Sequence, residues 1–261
     1  MAIKNPSFLA NSRLGKLKIG LFIPSTMYMG ELAENIVELE IYRNSTRVFR
    51  DRQHAGEILA EMLVAYKDSD ALVLGIAAGG VPVAAAIAQQ LNLALNILIV
   101  KKITPPDNSE FGYGALAWDG EIQINRDVVA QLGLSESDVE HGIEVARNKV
   151  EARIRKFQIE DNLPEVKGRN LLLVDDGLAT GTTFNTSIQS LRNQGATRII
   201  GAVPTAHAHS AISTAKTLDA LYCANIRTGY RYAVAEAYEY WHDVPDSEVL
   251  DIIKGASINS G

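Results

Sequence analysis

An apolar run that ends in two acids and a glycine- and threonine-rich turn is the feature that most restricts how this chain folds. Residues 171–174 are all apolar, Asp175 and Asp176 follow them, and the turn covers residues 177–183. A short apolar run bounded by turn formers is typical of a buried strand, and the pattern of residues 184–193 predicts a helix. The motif therefore indicates a strand, a loop and a helix in an α/β domain.

The same alternation of strand and helix patterns continues along the chain. Further strands are predicted at residues 71–76, 97–100, 198–203 and 218–223, and further helices after Phe49, at 81–91, and from the capping-box pattern at 135–138 to Phe157. Such alternation favours a mostly parallel twisted sheet with helices on both faces. Ligands of these sheets bind at the carboxyl ends of the strands, which is where the acidic pair lies.

The motif at this strand end offers two kinds of ligand contact. The carboxylates of Asp175 and Asp176 can accept hydrogen bonds from a sugar diol or hold Mg²⁺. The hydroxyls of Thr180, Thr182 and Thr183, together with backbone N–H groups and a helix N-terminus, form an anion site suited to a phosphate monoester. The alternative is a polar turn whose threonines cap a helix, but the preceding acids favour a ligand site.

Composition excludes several classes of function. The chain has 261 residues and a formal net charge of −6, and its basic residues are dispersed, so nucleic acid is not expected as a partner. No apolar stretch approaches the roughly 20 residues of a membrane helix. The single cysteine, Cys223, lies in an apolar run and is expected to be a buried strand residue in a cytoplasmic protein. Residues 1–46 are interpreted as an N-terminal extension.

Two common phosphate-binding motifs are absent, because no P-loop run and no Gly-x-Gly-x-x-Gly after a strand occurs. Residues 171–183 instead resemble the signature of type I phosphoribosyltransferases. The wider similarity, over about residues 47–253, is to a group of bacterial and archaeal members whose substrates are not assigned. The segments that carry this wider similarity are residues 49–52, 79–84, 101–115 and 238–249.

The resemblance implies a domain over residues 47–261, with the parallel sheet described above and a small hood. It also implies that Asp175 and Asp176 bind the ribose hydroxyls and, with Glu239, Mg²⁺. The 5′-phosphate would be bound by Ala179, Thr180, Gly181, Thr182 and Thr183.

The turn after the first predicted strand would bind pyrophosphate. Gly79 and Gly80 would let backbone N–H groups approach the anion, although a tight turn also explains them. Many relatives have Pro-Arg before these glycines, whereas this chain has alanine at residues 77 and 78. Lys101 and Lys102 could supply the missing charge, with Lys102 assigned to catalysis beside the two aspartates, or both could be solvated surface residues.

Residues 104–114 are rich in turn formers and are interpreted as a long mobile loop. In similar enzymes such a loop closes over the active site. Closure would exclude water from the reacting centre and limit hydrolysis.

The acceptor side is indicated only by similarity to 6-oxopurine phosphoribosyltransferases over residues 231–240. Tyr232 would stack on a heterocyclic base, and Glu239 would stand near the metal and pyrophosphate. His207 is a candidate donor where those enzymes use a lysine. Tyr232 as an ordinary packed aromatic, Glu239 as a solvated acid and the 207–209 histidine pair as a loop or metal feature stay open as alternatives.

These observations lead to one hypothesis and two rivals. The hypothesis is an Mg²⁺-dependent phosphoribosyltransferase that transfers the 5-phosphoribosyl group from phosphoribosyl pyrophosphate to a small-molecule nitrogen acceptor, a nucleobase by preference. The first rival is a non-catalytic phosphoribosyl-pyrophosphate-binding regulator, which the loss of the arginine at residue 78 favours. The second is a hydrolase of a phosphoribosyl compound. The sequence names no acceptor and leaves both a monomer and a homodimer open.

Overall fold

The computed structural model describes residues 33–106, 112–159 and 166–258. Residues 1–32 of the predicted extension and residues 107–111 of the predicted mobile loop lie outside this part of the chain. The rest of the extension, residues 33–46, lies within it.

Eight strands of the described chain form one sheet in the order β1-β8-β7-β6-β2-β3-β4-β5. Their bounds are β1 Ile36–Glu38, β2 Leu72–Ala77, β3 Ala94–Ile103, β4 Gly114–Ala117, β5 Ile122–Ile124, β6 Asn170–Val174, β7 Arg198–His207 and β8 Ala220–Arg227. Neighbours from β1 across to β3 are parallel, while β4 and β5 are added antiparallel. The mostly parallel sheet predicted from the sequence is confirmed.

Helices cover both faces of this sheet, also as predicted. Their bounds are α1 Arg52–Met62, α2 Gly80–Leu91, α3 Arg126–Gln131, α4 Glu136–Phe157, α5 Thr182–Asn193, α6 Ala208–Ala215 and α7 Asp246–Ile258. Strand β6 shows why two layers are needed: Leu171 and Leu173 join the core cluster that contains residues of α4 and α5. Leu172 and Val174 join the cluster that contains residues of α1 and α2. Alternating side chains of one strand thus enter opposite cores.

Local sequence signals set several element boundaries. The side chain of Asp51 accepts a hydrogen bond from the His54 N–H and caps α1. The predicted capping box opens α4, because the side chains of Ser135 and Asp138 each accept a hydrogen bond from the other's backbone N–H. Strand β1 lies within the segment interpreted as an extension, and it pairs with β8. The sheet therefore includes residues before residue 47, while the division of the chain at that point stays a prediction.

The chain after β8 returns to the segment that leads into α1. The Phe49 N–H donates to the Ala237 carbonyl at 3.0 Å, and the Glu239 and Tyr240 N–H groups donate to the carbonyls of Phe49 and Arg50. This backbone pairing places residues 236–242 beside the N-terminus of α1.

Cys223 is fully buried in β8, as the sequence predicts, and burial raises the pKa of its thiol. No helix in the described part of the chain has the length and apolar character needed to cross a membrane.

Candidate active site

The sheet has a topological switch point between β2 and β6. These strands are parallel neighbours, with Leu72 opposite Leu171 and Gly75 opposite Val174. The chain leaves β2 through α2 towards β3, whereas it leaves β6 through α5 towards β7 on the other side. Such a reversal opens a crevice at the carboxyl ends of the strands. The paired glycines follow β2 and the acidic pair follows β6, so both pairs lie at this crevice.

Asp175 and Asp176 lie at the end of β6 directly against the turn that follows β2. A Cβ atom on Gly79 would lie 2.0 Å from Asp176 Oδ2, and one on Gly80 would lie 2.6 Å from the Val174 carbonyl oxygen. Any side chain at residue 79 or 80 would collide with the acids or their backbone. The glycines are thus required by close packing, and this packing joins the predicted diol and pyrophosphate segments into one site.

Desolvation dominates the electrostatics of this pair. Loss of solvation raises the pKa of Asp175 well above its usual range, and the charge of Asp176 raises it further. Desolvation also raises the pKa of Asp176, although the charge and hydrogen bonds of Arg52 oppose that effect. Two adjacent, desolvated carboxylates are stabilised by hydroxyl donors or a cation in the crevice. The pair is suited to a diol or metal ligand.

Arg52 was not predicted as a site residue, yet it is the principal partner of the pair. Its Nε and Nη2 atoms donate to Asp176 Oδ2 at 3.0 and 2.9 Å, and its Nη1 donates to the His242 carbonyl at 2.8 Å. The Trp241 ring covers the guanidinium, with the Cζ atom 3.8 Å from the ring centroid. A signal was present in the sequence, because Arg52 occupies the same helical face as the buried Ala55 of α1, where a charge is unusual.

The loop between β6 and α5 is held in place by β7. The Leu178 N–H donates to the Thr205 carbonyl at 2.9 Å, and the Leu178 carbonyl accepts from the His207 N–H at 3.0 Å. Gly181 then adopts a left-handed backbone with φ of 77°, which glycine adopts without penalty. The loop therefore has one defined path into the helix.

The N-cap residue of α5 is Gly181, which has no side chain to cap the helix. The Thr180 and Thr182 hydroxyls lie 3.0 Å apart beside it, and Thr182 and Thr183 are half-buried in the first turn. Ala179 and Thr180 are exposed. The predicted phosphate loop thus presents hydroxyls and helical N–H groups at one place, which is an arrangement that binds anions.

The two predicted lysines lie on opposite faces of β3. Lys102 is exposed, and its positive charge lowers the pKa values of both aspartates, so it lies within electrostatic range of the pair. Lys101 is half-buried, and desolvation together with the charge of Arg153 lowers its pKa to about 8. Arg153 in turn pairs with Asp246 at 2.9 Å. The structure brings Lys102 towards the acidic pair and places Lys101 with α4 and α7.

Tyr232 lies beside the site at the ends of β7 and β8. Its hydroxyl is 3.3 Å from the Thr205 hydroxyl oxygen, and its ring makes an edge contact with His207. The guanidinium of Arg227 lies 5.2 Å from the ring centroid. Burial raises the pKa of Tyr232 above its usual range. The ring is half-buried and fixed by three partners, so it can form one wall of an acceptor site.

Glu239 is exposed, and it is not among the groups whose charge shifts the pKa of Asp175 or Asp176. The pKa of the Arg50 guanidinium is raised, chiefly by the hydrogen bond that Arg50 donates to Asp51, and the charge of Glu239 adds to this shift. Within the described residues, no group of three histidine, cysteine, aspartate or glutamate side chains is arranged to hold a metal ion. The structure therefore does not bring Glu239 together with Asp175 and Asp176 as one ligand set.

The sequence of the chain is similar to those of known proteins. Residues 40–221 match the family model described as the phosphoribosyl transferase domain. Two Mycobacterium tuberculosis proteins, from strains CDC 1551 and H37Rv and provisionally named phosphoribosyl transferases, are each 31% identical over 211 residues. The match covers 80% of this chain and 47% of each relative, so the chain spans about half their length.

A solved structure shows the same fold. The crystal structure of the protein TT1426 from Thermus thermophilus is 30% identical, with a TM-score of 0.63, and the match covers 78% of this chain and 97% of that one. The likeness therefore extends over nearly the whole of that protein.

Proposed function

Because the chain belongs to the family of phosphoribosyl transferase domains, we propose that it transfers the 5-phosphoribosyl group of phosphoribosyl pyrophosphate to a nitrogen atom of a small acceptor. The bond between the anomeric carbon and the pyrophosphate oxygen breaks, and a bond from that carbon to the acceptor nitrogen forms. Pyrophosphate leaves, and the acceptor loses its proton to solvent. A nucleobase is the proposed acceptor.

The observation that carries this proposal is the joining of three elements at the switch point. Asp175 and Asp176 pack against Gly79 and Gly80, and the N-terminus of α5 follows within the same connection. The acids would accept hydrogen bonds from the ribose diol, and residues 179–183 would bind the 5′-phosphate. The backbone of the glycine turn and Lys102 would receive the pyrophosphate.

The protein would act by positioning rather than by covalent chemistry. Holding both reactants in a line of attack can remove a large part of a bimolecular barrier, and donors aimed at the leaving group stabilise its developing charge. Tyr232 would hold the ring of the acceptor.

Magnesium is the proposed cofactor. Mg²⁺ in nucleotide-type sites is bound through one or two carboxylates, with substrate phosphates and waters completing its shell, so the pair of Asp175 and Asp176 fits it without Glu239. When bound, the ion would neutralise charge on the pyrophosphate. The side chains of this pair would orient it towards the substrate.

Base-dependent release of pyrophosphate from the full chain tests the proposal. Labelled phosphoribosyl pyrophosphate and Mg²⁺ are incubated with each member of a nucleobase panel, and pyrophosphate is measured. We expect release only with the cognate base, and none from the double variant Asp175→Asn, Asp176→Asn. Tight binding without release under any base would support the regulator, and release without a base would support the hydrolase.

A further inference from the structure

Arg52 is built into the site more deeply than a surface ion pair requires. Its side chain is 6% exposed and that of Asp176 is 15% exposed. All three nitrogen atoms of the guanidinium are engaged: Nε and Nη2 with Asp176, and Nη1 with the His242 carbonyl. The group therefore has one fixed orientation.

The contacts of Arg52 fix the carboxylate of Asp176 but leave part of it available. Both N–H groups bind the same oxygen, Oδ2, so Arg52 does not use Oδ1. The same oxygen faces Gly79, where the absence of a Cβ atom leaves room for it. The Tyr238 hydroxyl donates to the Asp176 backbone carbonyl at 2.6 Å and holds the main chain. Arg52 thus holds the side chain of Asp176, and Tyr238 holds its backbone.

Aromatic rings shield this contact from water. Trp241 lies over the guanidinium at 3.8 Å, and Tyr238 packs against Trp241 with ring centroids 5.1 Å apart. A desolvated stacking contact of this kind is worth more than an exposed one. The segment 238–242 therefore acts as a cover that keeps Arg52 on Asp176.

We propose that Arg52 is a positioning residue: it fixes the Asp176 carboxylate so that the oxygen it leaves unused meets the ribose diol, and Trp241 keeps it in that position. Arg52 itself does not touch the substrate in this arrangement. The inference rests on the proposed function, since it assumes that the diol of a phosphoribosyl group binds at Asp176.

Two ligands separate this role from general support of the fold. Ribose 5-phosphate has both a diol and a phosphate, whereas inorganic phosphate has no diol and can bind only at the anion sites, which are the loop at residues 179–183 and the glycine turn. A positioning role through Asp176 predicts that Arg52→Gln weakens ribose 5-phosphate binding by about 10- to 100-fold, the scale of a lost charged hydrogen bond. Phosphate binding should change less than twofold, and Arg52→Lys should restore part of the loss.

The matched control is Arg50→Gln. Arg50 lies two residues away, is exposed and pairs with Asp51, so we expect both ligands to bind as they do to the unaltered chain. Calorimetry gives the affinities, and circular dichroism checks that each variant is folded. If Arg52→Gln does not fold, Arg52→Lys carries the test, with a smaller loss expected for ribose 5-phosphate alone.

Three outcomes decide the matter. Selective loss of ribose 5-phosphate affinity supports the inference. Equal losses for both ligands, or no loss for either, overturn it while leaving phosphoribosyl binding intact. Failure of the unaltered chain to bind ribose 5-phosphate or phosphoribosyl pyrophosphate at all would overturn the proposed function, and this inference with it.

Discussion

Replacing Gly79 by alanine tests whether the glycine turn is packed against the acidic pair. The added Cβ would lie 2.0 Å from Asp176 Oδ2 and 2.6 Å from its Cγ, far inside the roughly 3.5–4.0 Å of favourable contact. Gly79 has φ of −60° and ψ of −33°, which alanine adopts without strain. The carboxylate must therefore move, and it then loses its hydrogen bonds from Arg52.

The size of the effect follows from these contacts. Hydrogen bonds between charged groups contribute about 1.5–3 kcal/mol, and a compatible glycine-to-alanine change recovers about 0.4–1 kcal/mol. We expect Gly79→Ala to lower the free energy of unfolding by about 1–2 kcal/mol, which is a fall in Tm of about 2–8 °C for a domain of this size. Affinity for phosphoribosyl pyrophosphate should fall about tenfold or more.

Calorimetry measures both quantities, and two other glycines calibrate them. In Gly80→Ala the Cβ meets backbone, the Val174 carbonyl at 2.6 Å and the Asp175 Cα at 2.8 Å, so no side-chain rotation relieves the clash and stability should fall further. In Gly255→Ala of α7 the Cβ meets nothing within 4 Å, so stability should rise by up to about 1 kcal/mol with unchanged binding. A Gly79→Ala protein with unaltered Tm and affinity would refute the packing argument.

Two further predictions concern charge. Asp175→Asn should weaken phosphoribosyl-pyrophosphate binding about 10- to 100-fold yet raise Tm at neutral pH, since it removes a desolvated carboxylate. The pKa of Asp175 is raised in the folded state, so the destabilisation begins as pH rises past the ordinary aspartate pKa of about 3.9 and is complete above the raised value. The gain in Tm of Asp175→Asn should therefore shrink towards acidic pH, and a gain that grows instead would contradict the assignment. If Lys101 contributes to pyrophosphate binding, affinity should fall as pH rises through about 8, the pKa of its ammonium group, and Lys101→Met should remove that dependence. The exposed Lys67, changed to Met, is the control, and a profile unaltered in Lys101→Met would exclude Lys101 from the site.

Much of this architecture follows from local sequence patterns. The apolar run of β6, the acids after it and the glycine at residue 181 specify a strand end and a left-handed entry to a helix with few alternatives. The capping box of α4 does the same for one helix start. These signals are readable because each depends on residues that are neighbours in sequence.

The missed features depend on contacts between distant residues. Strands β1 and β5 have three residues each, which is too short for an alternating hydrophobic pattern to be recognised. They form because each pairs with the edge of a neighbouring strand. Lys101 and Lys102 follow the apolar run at residues 97–100, and it is the extension of β3 to residue 103 that places them on opposite faces. Arg52 and Asp176 are 124 residues apart in sequence, and no local sequence pattern predicts the contact between them.

The return of residues 236–242 to the start of α1 has a consequence for how the protein is made. Arg52 and His242 are 190 residues apart in sequence, so this contact closes only after residue 242 has left the ribosome. Contacts of such high sequence separation are slow to form because their chain entropy is lost before they contribute energy. During synthesis the strands of the sheet can pair first, and Trp241 and His242 can make their contacts with Arg52 only afterwards. The sheet can therefore form before the surroundings of Arg52 are complete.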